Sequence, residues 1–345
     1  MMIPIYMSRL AGLSLLALLL LPQRPALAQE LESPEAGVRI ERRRDTSTRT
    51  DADRQLQQGR EQRRQGNYQA AIALWQEALE LYTQMYDWGA MTQLYTELGS
   101  AYAQLNNLNQ AQQMFEAQVS LTRRRDNQRD LMTGLNNLGT VLLQRGQIER
   151  AQQAFVEALE LASQNNVIRV LGLTQSNLGL LEATRGNYRQ AISLYEQALQ
   201  YRIQSRDISG QANTFNHLGD AYWALDDYDN AIANYGAALR QVQNRESEFE
   251  NYLRAVDGLA IAHRSVGRYL RSQELLEERL RRVRERGDLR EEMNSLVALA
   301  QLYQTAGERQ EAIRFYSGAI AVAEELEDIR AVSALENTLS QLIRR

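Results

Sequence analysis

The side chains that could act on a ligand are few and of narrow type. There are two histidines, His217 and His263, 46 positions apart, and no cysteine. A hydrolase needs a nucleophile beside a positioned base, and a transition metal needs several converging nitrogen or sulfur ligands. Neither set can be assembled here, so we expect no catalytic centre, no metal and no cofactor. All 39 basic residues are arginine, which removes chemistry that depends on a Schiff-base or phosphate-loop lysine. What remains is hydrogen bonding, carried by Asn136, Asn137, Thr140, Asn177, Asn213, Asn216, His217 and Asp220, with Trp223 nearby. An asparagine amide offers a donor and an acceptor together, which matches a peptide bond.

Helices must position these groups. The four prolines are Pro4, Pro22, Pro25 and Pro34, and the 311 residues that follow contain none. Those residues are rich in Ala, Leu, Gln, Glu and Arg, which lose little entropy in a helix, so the body is all-α. Gly59, Gly99, Gly139, Gly179 and Gly219 recur every 40 residues, and Ala260 and Ala300 extend the series. Twelve residues after each stands a small residue, from Ala71 and Ala111 to Ser272 and Ala312. Four further on stands a large one: Trp75, Phe115, Phe155, Tyr195, Tyr235, Leu276 and Tyr316. Repetition of this kind marks a stacked helix-turn-helix array. The spacing predicts that each Gly or Ala faces its unit's second helix at the closest backbone approach. The aromatic residue is then expected to fill the volume between neighbouring units. Gly66, Asn106, Gly146, Gly186, Asp226, Gly267 and Gly307 supply turns within units. Asp87, Asp126, Asp207, Asp288 and Asp328 are expected to cap the helices that follow.

This pattern resembles the tetratricopeptide repeat. Tyr102, Tyr222 and Tyr303 match the family tyrosine, and Ala78, Ala158, Ala198, Ala238 and Ala319 match its second alanine. The resemblance covers residues 52–332 and implies a right-handed superhelical solenoid of seven helix-turn-helix units. Their expected bounds are 52–91, 92–131, 132–171, 172–211, 212–252, 253–292 and 293–332, with a capping helix over 333–345. The family period is 34, whereas this chain repeats every 40 and lacks the family proline. It is similar in that respect to the long-helix repeats of kinesin light chains and of a spindle-orientation adaptor. In that subgroup, asparagines at the positions of Asn137 and Asn177 grip the backbone of an extended peptide. Here Glu97, His217, Gly258 and Ala298 replace asparagine at that register, which implies a short track across the third to fifth units. Several hydrogen bonds of roughly 0.5–1.5 kcal/mol each, with Trp223 as an anchor, would give micromolar affinity. Two alternatives stay open at this point: the polar faces are simply solvated, or Trp223 packs against its own helix.

The rest of the chain bounds the setting. Arg9, the apolar run Leu10 to Leu21 and Ala26-Leu27-Ala28 read as a secretory signal over residues 1–28. Twelve apolar residues fall short of the roughly 20 that span a bilayer, so cleavage after Ala28 and an exported product are expected. Residues 29–51, of mixed charge, read as a flexible linker. A net charge of −4 supplies no field for nucleic-acid phosphates. The six arginines from Arg279 to Arg290 alternate with acids and read as a salt-bridged exposed face. The expected function is an exported scaffold or adaptor whose concave groove takes a protein or peptide partner. The alternative is a structural or self-assembling element of an envelope complex, joined to its own copies as a homo-oligomer or to envelope machinery, with no peptide in the groove.

Overall fold

A computed structural model describes residues 42–344 of the 345-residue chain. The expected signal segment and residues 29–41 lie outside the described residues. Helix α1 runs Arg42–Arg64, so its first turns occupy part of the stretch expected as linker. No proline interrupts residues 42–64, and Arg49 is held by Asp87 across to the next unit at 2.8 Å.

Every described element from there on is helical. The first helices of the units are α3 (Trp88–Gln104), α5 (Gln128–Gln144), α7 (Ile168–Thr184), α9 (Ile208–Ala224), α11 (Phe249–Ser265) and α13 (Leu289–Ala306). They alternate with the second helices α2 (Tyr68–Gln84), α4 (Leu108–Arg124), α6 (Ile148–Gln164), α8 (Tyr188–Gln204), α10 (Tyr228–Val242), α12 (Tyr269–Glu285) and α14 (Arg309–Glu325). The last helix, α15 (Ile329–Arg344), begins forty residues after α13, so it sits in the register of a first helix. It starts four residues before the expected cap, because Asp328 already accepts from the Ala331 amide at 3.1 Å.

Helix ends are set by one residue in the left-handed conformation. Gly66, Tyr86, Asn106, Asp126, Gly146, Asn166, Gly186, Arg206 and Asp226 all have positive φ and follow one another at intervals of twenty. The next residue is the N-cap of the following helix, which begins one residue later. Asp87, Asp207 and Asp288 accept from the backbone of Ala90, Gly210 and Glu291 at 3.0–3.1 Å, as expected of N-caps. Asp126 does not: it occupies the left-handed position, and Asn127 caps α5 instead, accepting from Asp130 at 3.2 Å.

The glycines face their own second helix at close approach, as the spacing suggested, and what they meet there is the aromatic ring, which also reaches the next unit at Tyr195 and Tyr235. Each glycine of the forty-residue series lies beneath the aromatic ring of its own second helix. A Cβ built on Gly59, Gly99, Gly139, Gly179 or Gly219 would come within 2.3–2.6 Å of Trp75, Phe115, Phe155, Tyr195 or Tyr235. The rings are buried, and the Trp75 indole also donates to the Leu56 carbonyl at 3.2 Å. Where Ala260 replaces glycine, Leu276 replaces the ring; there the Ser272 hydroxyl donates to the Ala260 carbonyl at 2.9 Å.

Two glycine-to-alanine changes should therefore move stability in opposite directions. At Gly139 the new methyl meets the Phe155 ring, and overpacking of this kind costs about 1–3 kcal/mol, more than alanine's helix propensity returns. At Gly236 it would meet only the flexible Arg240 guanidinium at 3.4 Å, so the propensity gain of up to about 1 kcal/mol survives. Urea unfolding of Gly139→Ala and Gly236→Ala measures both signs.

Candidate functional site

The first helices α5, α7, α9 and α11 touch in series, whereas successive second helices make no comparable contact among the described residues. The array therefore closes on its first-helix side and opens on the other, and residues at one register stand side by side on the inner wall. Asn137 and Thr140 of α5, Asn177 of α7, and Asn213, His217, Asp220 and Trp223 of α9 are half-buried there.

Asn136 and Asn216 are not part of the open wall. They are 1% and 0% exposed, because their helix face turns into the seam between successive first helices. The Asn136 Nδ2 donates to the Met132 carbonyl at 3.0 Å, while its Oδ1 accepts from Thr174 Oγ1 and Asn177 Nδ2, each at 3.0 Å. Asn216 Nδ2 reaches the Asn251 carbonyl of α11 at 3.4 Å. A buried amide group left unpaired costs about 1–3 kcal/mol. Both ends of the Asn136 amide are paired, and these bonds tie α5 to α7 through its oxygen and α9 to α11 through the Asn216 Nδ2 alone.

The wall changes character at its ends. His217 stacks on Tyr195 with ring centroids 5.2 Å apart and planes 7° apart. Its Nδ1 lies 3.0 Å from Arg254 Nη2; a guanidinium only donates, so Nδ1 accepts and the ring is neutral. Burial first, then the Arg254 and Arg202 charges, hold the imidazole well below its ordinary pKa. Asp220 accepts from Arg254 and from the Tyr235 hydroxyl, both at 2.6 Å. The Trp223 indole donates to Ser265 Oγ of α11 at 3.2 Å, so it bridges two units rather than standing free as an anchor. At the other end Glu97 is paired with Arg60 at 3.5 Å and with Arg63. The third and fourth units between these ends present Asn137, Thr140 and Asn177.

Sequence reasoning missed Leu173, 38% exposed on α7. Its signal is a leucine at the register where α5 has Thr133 and α9 has Asn213. The arginine-rich stretch also divides: Arg279 is 1% exposed rather than on an outer face. It pairs with Asp257 at 2.8 Å and Glu291 at 2.7 Å, joining α12 to α11 and α13. Two cavities, of about 580 and 410 Å³, open between second helices, α10 with α12 and α4 with α6, away from the asparagine wall. Among the described residues no cluster of three or more His, Asp or Glu could hold a metal, and no helix is long and apolar enough to cross a membrane.

Models of the tetratricopeptide repeat match residues 90–164, 130–204, 170–244 and 210–285, and further repeat models match 56–117 and 295–330. The chain belongs to the tetratricopeptide repeat family. No curated protein matches the sequence. Among solved structures, the apo quorum sensor NprR from B. thuringiensis is similar at TM-score 0.62 and 18% identity, over 78% of this chain and 75% of that one. The Rap conjugation gene regulator of plasmid pLS20, in complex with the Phr* peptide, gives 0.59 and 15% identity, over 87% and 81%. A Rap protein complexed with Competence and Sporulation Factor gives 0.56 and 14%, over 85% and 75%. At these identities the likeness is one of fold.

The neutral His217 makes stability pH-dependent. Below about pH 6.5 the unfolded imidazole takes up a proton that the folded one refuses, so stability falls as pH drops. His263, also pushed down by burial, adds to the same slope. Replacing His217 with asparagine, the residue at this register in α5 and α7, should shrink the loss of Tm between pH 7 and pH 5. Thermal melts at both pH values check this; an unchanged slope would place the proton uptake elsewhere.

Proposed function

We propose that the protein is an exported, non-catalytic adaptor that binds an extended peptide, or an extended segment of a protein, along the first-helix wall of its third to fifth units. The observation that carries this reading is the placement of Asn137 and Asn177 at the same register on touching helices, both half-buried. Paired amides at that spacing can meet successive groups of a peptide backbone. Thr140 and Asn213 border them, and Leu173 offers an apolar contact for a partner side chain. His217 and Asp220 close the track at one end through Arg254. That the pLS20 Rap regulator was solved with a peptide supports the capacity of this architecture to hold one. Export is supported by the sequence of residues 1–28 alone.

Two measurements test the two halves of the proposal. Replacing Asn137 and Asn177 together with alanine should abolish partner capture from a periplasmic extract while leaving the far-ultraviolet circular dichroism unchanged. Capture that persists would remove the wall as the binding site. For export, the N-terminus of the protein purified after expression of the full chain should read from Gln29; a chain starting at Met1 or Met7 would contradict it.

A further inference from the structure

Asn136 is closed off from any partner, yet three hydrogen bonds converge on its amide. Its Nδ2 donates to the Met132 carbonyl one turn back at 3.0 Å. A carbonyl can only accept, so this bond fixes which end of the Asn136 amide is which and turns its oxygen toward α7. That oxygen takes the Thr174 hydroxyl and the Asn177 Nδ2, both at 3.0 Å. Asn177 thus commits one N–H of its Nδ2 to the seam, and among the described residues nothing donates to its Oδ1, which can only accept. Among the described residues no such relay orients Asn137, so its amide is free to present either end.

We propose that Asn136 is a positioning residue that holds the Asn177 amide with its oxygen outward, making the wall selective at that point for a ligand N–H. The inference rests on the peptide-binding reading above. The wall then has one place of fixed polarity, at Asn177, beside one of adjustable polarity, at Asn137. A peptide residue without a backbone N–H, either proline or an N-methylated residue, leaves the Asn177 oxygen desolvated and unpaired when it sits there. A free amide could instead rotate and donate to a ligand carbonyl, and would tolerate the change.

The test uses the full chain and random dodecapeptides displayed on phage. A selected peptide is synthesised with an N-methyl group at each backbone position in turn, and its affinity is measured by isothermal titration calorimetry. We expect one position at which N-methylation weakens binding at least about tenfold, the loss of one well-made hydrogen bond to a buried partner. In Asn136→Leu, whose helicity is checked by circular dichroism, that penalty should fall below about threefold while the parent peptide binds more weakly. The inference is overturned if Asn177→Ala weakens binding but no position shows the penalty, or if the penalty is the same in Asn136→Leu. Should Asn136→Leu not fold, the N-methyl scan on the unaltered protein still decides. If no dodecapeptide is selected, or if those selected ignore Asn177→Ala, the peptide-binding reading itself fails and takes this inference with it.

Discussion

A ring lying on a glycine is the contact from which the rest of this architecture follows. Phe155 over Gly139, and its counterparts in neighbouring units, leave no space for even a methyl group. The two helices of a unit can then approach closely enough to exclude water from their shared face. The same ring reaches past its own unit: Tyr195 lies under Gly179 and stacks on His217, and Tyr235 packs against both Gly219 and Gly258. One side chain therefore fixes the pairing within a unit and the step to the next. Repeated every forty residues, it propagates the array, and each unit needs its neighbours to bury its faces.

The inner wall is a consequence of that packing. Because the first helices touch while the second helices spread, same-register residues on α5, α7 and α9 form a row. Polar seams at Asn136 and Asn216 complete the join between units. An amide suits this place because it carries a donor and an acceptor together: the Asn136 oxygen accepts from Thr174 and Asn177 across the gap, and the Asn216 Nδ2 donates to the Asn251 carbonyl. A charge there would need full pairing to offset its desolvation, as Arg279 obtains from Asp257 and Glu291 between α11, α12 and α13. The wall thus has rigid seams and a half-buried lining whose composition varies from unit to unit.

Much of the fold was legible because its determinants recur. The glycines every forty residues and the aromatic residues sixteen positions later announce the period, and Asp87, Asp207 and Asp288 announce helix starts. What the period does not encode is the rotation of each helix about its own axis. Asn136 and Asn137 are adjacent, yet a step of about 100° around the helix takes one into the seam and the other onto the wall. A helix polar on two faces gives no clue to which is which. The twenty-residue rhythm of left-handed turns was also half hidden. Gly66 and Gly146 reveal it, but Tyr86 and Arg206 adopt the same conformation without being residues that favour it. Likewise, an arginine among acids looks the same in sequence whether it is solvated, like Arg281, or enclosed, like Arg279.

Deleting one complete unit tests the central claim most directly. Removal of residues 128–167 joins Asn127 to Ile168, takes out α5 and α6 with their turns, and keeps every remaining ring in phase with its glycine or, for Tyr316, with Ala300. Circular dichroism of this shortened protein should show the same helicity per residue and a single cooperative melt. Loss of the folded state, while a deletion of 128–147 that breaks the phase is tolerated, would contradict an architecture built on that forty-residue contact.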